Sequence, residues 1–392
     1  MLYEHIRSGD WVDASRLRIY PRIYLSVSLA MTITAVAFGH SPLDLHGNPL
    51  GTDFLSFWSA SNLLWQGRPE AAYDHAALYA IEQSVGGPDC PLYTWLYPPM
   101  AFLVVAPLAA LPYFPALTAW LGITFIGYLT ALWQFLPDRR TLIPMIAFPP
   151  VFINLGHGQN AFLSAALLGW GLILLPRRPW LAGILMGALI YKPQLGLLLP
   201  VALLAAGHWR ALFGAVVSVV VLSAASYGLL GAEVWAAFLA KSEYSRQVLE
   251  QGLVPWQKMI SSFAAARMLG APVGLAWAMQ TLVSLSSAAV VWRVWRAPTS
   301  YPVKVATVTI GTLLAAPLAL DYDATVLGIA ITALAADGLR RRFLDWEISI
   351  LAGVWMTSLL WRPIAMATDI PLGALAIMLL LWLTMRRARR VG

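Results

Sequence analysis

PLGTDFLSFWSASNLLWQG, residues 49–67, sets one carboxylate, Asp53, among four aromatic side chains, Phe54, Phe57, Trp58 and Trp65. The stretch begins soon after the first long apolar run, which spans about Ile23 to Phe38. A position there is the rim of a bilayer, where an acid is costly unless it is paired or at work. The stretch therefore reads as part of the first polar loop of a multi-pass helical protein. Asp before FLSFW suits a helix N-cap. A lone interfacial carboxylate also suits a general base, which must lie near a hydroxyl and be ionised. Both readings stand on the residues alone.

Composition agrees with the membrane reading. Of 392 residues, 59% are hydrophobic and 11% charged, where soluble domains carry roughly 25% charged residues. The mean hydropathy is +0.68. The 18 Trp and 26 Pro fit a protein whose tryptophans collect at bilayer interfaces and whose prolines are tolerated in membrane helices. A single cysteine, Cys90, excludes an intramolecular disulfide and a cysteine-based metal site. No stretch alternates at period 2 in the manner of a membrane barrel. The pI of about 9.6 is explained by basic residues anchoring cytoplasmic loops, so no nucleic-acid partner is expected.

The expected organisation is one integral membrane domain over residues 1–392. Residues 1–21 form a cytoplasmic interfacial segment, 39–112 a first outer loop with short helices at 54–66 and 70–84 lying on the surface, and 231–270 a second long outer loop. YPPMAFLVVAPLAALP, residues 97–112, is shorter than the roughly 20 residues a crossing needs. The distribution of Lys and Arg decides how to treat it, because these residues gather on the cytoplasmic side. With 97–112 re-entrant or interfacial, 19 basic residues are cytoplasmic and seven external; with 97–112 crossing, ten are inside and 16 outside. The first arrangement predicts about twelve crossings, with both termini cytoplasmic. Later apolar segments include 141–156, 160–176, 180–191, 194–207, 303–319, 322–336 and 346–361.

This topology puts the unusual polar residues on one face, which is how a membrane site looks in sequence. Lys192, in Tyr191-Lys192-Pro193-Gln194, suits a phosphate contact or simple snorkelling to the interface. In Gly156-His157-Gly158-Gln159-Asn160, the amides of Gln159 and Asn160 suit sugar hydroxyls, while a plain turn explains the same string. His157 is a weak candidate base. Asp321, Tyr322 and Asp323 suit a sugar or cation site, or an external cap. Lys258, beside Trp256 and Gln257, is a second phosphate candidate. Tyr97 and Trp58 supply aromatic faces, and Gln194 another amide. Walker, GxGxxG and HExxH patterns are absent. Asp321-Tyr322-Asp323 matches D-x-D formally, but on the outer face, where nucleotide sugars are not supplied. No metal and no cofactor are therefore expected.

Four stretches taken together carry a family resemblance: GTDFLSFWSASNLLWQGRPEAAYD, LYPPMAFLVVAPLAALP, GQNAFLSAALLGWGLIL and LAGILMGALIYKPQLGLLLPVALLAAGHWRAL. The chain resembles glycosyltransferase family 87 from about residue 20 to 340. The resemblance implies an all-α polytopic bundle of the GT-C type and a mannosyltransferase using a polyprenyl-phosphate sugar. It implies Asp53 as base, and at Tyr97-Pro98-Pro99 a helix dipping at the outer surface. Transfer would be inverting and metal-independent, to a lipid or glycan acceptor outside the cytoplasmic membrane. Lys192 and Lys258 would meet the leaving phosphate. The sugar or acceptor would be contacted by Trp58, Tyr97, His157, Gln159, Asn160, Gln194, Asp321 and Tyr322. The family often has a histidine near 321–322, where this chain has Tyr322. A transporter or flippase is the main rival, but it predicts an internal repeat and polar groups near the midplane, and neither is visible. A non-catalytic assembly subunit is the other.

Overall fold

The computed structural model describes residues 2–39, 43–45 and 47–389. Met1, positions 40–42 and 46 of the first loop, and Arg390 of the C-terminal basic cluster lie outside the described residues. Those described contain helices and turns and no β-strand, only two isolated bridges, Leu43 with Pro49 and Met259 with Leu320.

Among the described residues, five helices are long and apolar enough to cross a membrane: Ala14–Ala37, Tyr113–Phe135, Trp209–Leu230, Val273–Arg296 and the stretch Asp321–Arg341. At 1.5 Å per residue, helices of this length reach the ~30 Å of a bilayer core. A sixth forms if Glu347–Thr357 and Trp361–Thr368, bent by 74° at their junction, are one span. Several segments expected to cross are broken instead. Residues 141–156 divide into Leu142–Ile146 and Pro149–His157, and 180–207 into Pro179–Gly187, two 3₁₀ turns and Leu199–Ala205. Proline explains the breaks, because it disfavours the α conformation in the residue before it. Lys192, preceding Pro193, accordingly leaves the helical region with φ −139° and ψ 70°.

The chain sorts into an inner and an outer layer. Tyr301–Ala315 is buried at every position from Val305 to Ala315, and Leu327–Arg341 is buried along most of its length. Ala14–Ala37, Trp209–Leu230 and Val273–Arg296 surround them with few buried residues. Val216, Val217, Val220 and Val221 present an exposed apolar face. A continuous face of this kind is tolerated against lipid and avoided against water, so the protein is a multi-pass membrane protein. At the far end of the bundle Arg387 is buried, 2.8 Å from Asp337 and 2.6 Å from Glu347.

Three segments then build the site end. The helix Phe54–Trp65 was expected to lie on the surface; eight of its twelve residues are buried in protein. It packs on the short helix Met100–Val105 and the turn Ala106–Ala110, where Ser61 and Trp65 both donate to the Ala106 carbonyl at 3.0 and 2.8 Å. The 231–270 region is largely helical rather than a loop, with helices Ala232–Glu250 and Ser262–Met268. Its end is stitched inward by Ile260, whose N–H donates to the Ala319 carbonyl at 2.9 Å. Gln280 accepts from Ser262 Oγ and the Phe263 N–H and donates to the Leu314 carbonyl. Lys258 is thereby carried to the mouth of the Asp321 helix.

Candidate functional site

Asp53 precedes the helix Phe54–Trp65 but does not cap it. Its own backbone is already helical, φ −69° and ψ −21°, and its side chain bonds no helix N–H. The carboxylate turns instead to the 157–160 turn. Gln159 Nε2 donates to Asp53 Oδ2 at 3.0 Å, and His157 Nδ1 stands 4.0 Å from the same oxygen. His157 Nδ1 also pairs with Thr52 Oγ1 at 2.9 Å. Both side chains keep part of their surface open, 29% for Asp53 and 18% for His157.

Close approach of the two segments depends on Gly158. Its φ of +62° is left-handed, and a Cβ there would fall 2.5 Å from Phe54 Cβ and 3.0 Å from the Gly51 carbonyl oxygen. Only glycine meets both demands without strain. Asn154 fixes the same turn, its backbone carbonyl accepting the Gly158 and Gln159 N–H groups and its Oδ1 the Ala161 N–H.

Behind Asp53 runs a buried polar chain. Tyr97 O–H donates to Gln159 Oε1 at 3.2 Å, and the Asn160 N–H donates to the same oxygen at 3.1 Å. Burial holds Tyr97 well above its ordinary pKa, so it stays a neutral donor. Lys192 Nζ donates to Asn160 Oδ1 at 3.0 Å and to Asp323 Oδ1 at 2.6 Å. Lys192 and Asp323 are both buried, and the Lys192 ammonium lies 5.0 Å from the Tyr322 ring centre. A void of about 10 Å³ touches Tyr97, Asn160 and Tyr191, at the lower limit for one water and far below a sugar.

Close to His157, and itself buried, stands Asp321 with basic side chains about it. Arg362 lies 3.9 Å from Asp321 Oδ2, and His157 and Lys258 are near enough to act on Asp321 electrostatically. The His157 and Tyr322 ring centres are 5.9 Å apart.

The structure therefore divides the candidates. Asp53, His157, Gln159, Asn160, Tyr97, Lys192, Tyr322, Asp321 and Lys258 fall in one neighbourhood. Trp58 points its indole N–H at the Leu111 carbonyl, 3.1 Å, and packs edge-on against Tyr113. Gln194 sits half-buried in the turn Pro193–Gly196. Neither belongs to the hydrogen-bond chain behind Asp53 among the described residues. Sequence reading passed over Arg362 and Thr52 as site residues, and it offered Asp323 for a sugar or cation rather than as the partner of Lys192. Arg362 left one signal, a lone cation in the apolar run SLLWRPIAM. Among the described residues no group of three or more His, Cys, Asp or Glu side chains is placed to hold a metal ion.

A helical membrane bundle that gathers an acid, a histidine and two further cations at one end has the layout of an integral-membrane transferase. The sequence model of glycosyltransferase family 87 matches residues 95–320, and the chain belongs to that family. The match takes in Tyr97, His157, Gln159, Asn160, Lys192, Gln194 and Lys258, while Asp53 and Trp58 precede it and Asp321, Tyr322 and Arg362 follow. Over 152 residues the chain is 32% identical to the alpha-(1->3)-arabinofuranosyltransferases of two Mycobacterium tuberculosis strains, CDC 1551 / Oshkosh and ATCC 25618 / H37Rv. The aligned stretch covers 35% of this chain and 35% of each relative, about a third of their length. No solved structure matches the chain. What the comparisons show is the family; the chain spans about a third of the length of these relatives.

Proposed function

We propose that the chain moves a hexosyl unit, mannosyl by preference, from a polyprenyl-phosphate sugar to the hydroxyl of a lipid or glycan acceptor. It works with inversion and without a metal, as a GT-C-type bundle in the cytoplasmic membrane with its site on the outer face. The termini are cytoplasmic, and the short helix after Tyr97-Pro98-Pro99 dips into the outer surface without crossing. Asp53 takes the proton of the acceptor hydroxyl. That oxygen attacks the anomeric carbon as the bond to the phosphate oxygen breaks, and polyprenyl phosphate leaves with the electron pair. The leaving group is already anionic, so fixed cations stabilise it. Lys258 and Arg362 fill that role better than Lys192, whose ammonium is neutralised by Asp323. Asp321 holds the two cations apart until donor arrives.

The observation that carries the reading is that Asp53 is oriented without capping its helix. Its amide support comes from Gln159, and one face stays open beside His157. The sugar then lies on the open side, with His157 and Tyr322 beside it, and Gln159 and Asn160 act as supports. A second reading follows from the relatives, which are named for arabinofuranosyl transfer: the donor sugar is a pentose on the same carrier.

The test incubates purified protein and a membrane extract with labelled polyprenyl-phosphate mannose or polyprenyl-phosphate arabinofuranose. A labelled product formed from the mannose donor, persisting in EDTA and lost in Asp53→Asn, is the expected outcome. Product from the arabinose donor alone selects the second reading. Full turnover by a folded Asp53→Asn variant would refute the assignment of the base.

A further inference from the structure

We propose a second ligand site, distinct from the glycosyl-transfer site and independent of how that site is read: an acyl-chain pocket for one anionic phospholipid at the opposite end of the bundle. A cavity of about 400 Å³ lies there, inside the ~300–1,000 Å³ range of small-molecule sites. Leu132, Met145, Ile331, Ala335 and Leu351 are among its walls, and its surface is almost wholly apolar.

The position along two helices separates it from Asp53. Trp120 touches the site turn through the Gly158 carbonyl, and Leu132, twelve residues on in the same helix, lines the cavity. That is roughly 18 Å of helix. In the other helix Asp321 stands at the site and the cavity is lined from Gly328 to Leu339, so its near end is roughly 13 Å and its far end roughly 30 Å along the helix from Asp321. One wall is the helix Ala14–Ala37, through Leu17, Tyr20 and Pro21, and the outer face of that helix is largely exposed. The cavity is therefore screened from lipid by a single helix.

Charge selects the occupant. Arg16 lines the cavity itself. Arg139 and Arg140 share a 3₁₀ turn with Thr141, which lines it, and Arg340 follows Leu339, which also lines it. Arg139, Arg140 and Arg340 are exposed. Arg16 pairs with Asp13 at 3.9 Å, both about half exposed, and its guanidinium also donates to the Trp11 carbonyl; the exposed ion pair is weak enough to be exchanged for a phosphate. An apolar slot with Arg16 in its wall, and with Arg139, Arg140 and Arg340 next in the chain to its lining, takes a lipid tail inside and an anionic phosphate beside Arg16. Zwitterionic lipid satisfies the slot but not these charges.

The test delipidates the purified full chain in detergent, titrates it with dioleoyl-phosphatidylglycerol or dioleoyl-phosphatidylcholine, and counts bound lipid by native mass spectrometry. One tightly held phosphatidylglycerol, preferred over phosphatidylcholine, is expected. Arg16→Gln, Arg140→Gln and Arg340→Gln should each weaken phosphatidylglycerol binding roughly fivefold and leave phosphatidylcholine unchanged. Ala335→Phe with Ala352→Phe, from two walls, should abolish the tight site without loss of glycosyl transfer. Equal binding of the two lipids, tight binding that survives the double filling, or a polyprenyl phosphate found in the slot instead would each overturn the proposal.

Discussion

Gln159 offers its amide N–H to Asp53, at 3.0 Å, because its carbonyl oxygen is already taken. Tyr97 O–H and the Asn160 N–H both donate to that oxygen, at 3.2 and 3.1 Å. Two donors on Oε1 leave only one orientation of the amide, and that orientation aims Nε2 at the carboxylate. The neighbours of the Gln159 amide thus turn its N–H toward the Asp53 carboxylate.

Replacing Gln159 tests that relationship. In Gln159→Leu the carboxylate loses its donor and gains freedom; misplacing a catalytic group by about 1 Å costs on the order of 10²-fold in rate. The expected result is a kcat down roughly 10²-fold with KM for the donor nearly unchanged. Steady-state kinetics check it, alongside thermal unfolding to show the fold persists. A rise in KM with kcat intact would instead make Gln159 a substrate contact.

Gly158→Ala tests the close approach of the 157–160 turn to residues 51–54. The substitution forces a side chain into a left-handed conformation, which costs roughly 1–2 kcal/mol, and drives its Cβ against Phe54 Cβ at 2.5 Å. Both strands of the turn must move apart, and Asp53 with them. Lower thermal stability and a larger loss of activity than stability accounts for are expected, measured on the same preparation. Gly156→Ala is the control, because nothing lies within 4 Å of a Cβ built there.

Much of this arrangement was legible in the sequence. The isolated Asp53, the GHGQN string and the Lys192-Pro193 break each stood out as polar residues in an apolar context, and all three fall in one neighbourhood. Which of them pair with which did not stand out. The Lys192–Asp323 pair joins residues 131 apart, and no local pattern marks a contact that distant. Lys192 read as a free phosphate ligand because a sequence shows a charge without its counter-ion. Helix breaks were only half visible: Pro149 and Pro193 mark them, but a hydropathy run reads straight through a 3₁₀ turn. Arg387 counts among the 19 cytoplasmic basic residues of the charge distribution, where nothing marks its pairing with Asp337 and Glu347, 50 and 40 residues earlier in the chain.

The Lys192–Asp323 pair predicts an asymmetric pattern of stability. Removing one partner of a buried ion pair leaves the other charge uncompensated and costs roughly 3–5 kcal/mol, while replacing both with apolar groups of similar size is often neutral. Lys192→Met should therefore unfold much more readily than wild type, and Lys192→Met with Asp323→Leu should recover most of the loss. Thermal unfolding in detergent decides it. If the double variant is stable yet its KM for the donor rises, Lys192 returns as a phosphate contact.

Lys258 and Arg362 are expected to carry the donor phosphate. A hydrogen bond to a charged group contributes roughly 1.5–3 kcal/mol, so Lys258→Gln or Arg362→Gln should raise the donor KM by about 10- to 100-fold. Inhibition by free polyprenyl phosphate should weaken in parallel, because that product shares the phosphate and lacks the sugar. Unchanged inhibition would remove these residues from the phosphate site. Arg362→Lys should restore part of the effect, since charge matters more here than the planar fork.

Glu82 predicts a pH dependence that has nothing to do with the chemistry. It is buried within the first loop, in the helix His75–Gly86, accepts the Tyr93 N–H at 3.0 Å through Oε2, and leaves Oε1 without a hydrogen-bond partner among the described residues. Burial pushes its pKa up to about 8, and the Tyr93 hydrogen bond offsets only part of that. The folded protein therefore holds this proton up to about pH 8, while the unfolded chain releases it near the ordinary value of 4.5. The stabilisation from the neutral acid is complete below pH 4.5 and is lost as pH rises from there to about 8. Glu82→Gln keeps a neutral side chain of the same shape at every pH. It should match wild type near pH 5 and exceed it by a few kcal/mol above pH 8, since about 1.4 kcal/mol accompanies each tenfold change in proton affinity. Thermal unfolding of both proteins between pH 5 and 9 tests this, and two curves that stay parallel across that range would show that Glu82 is ionised in the fold.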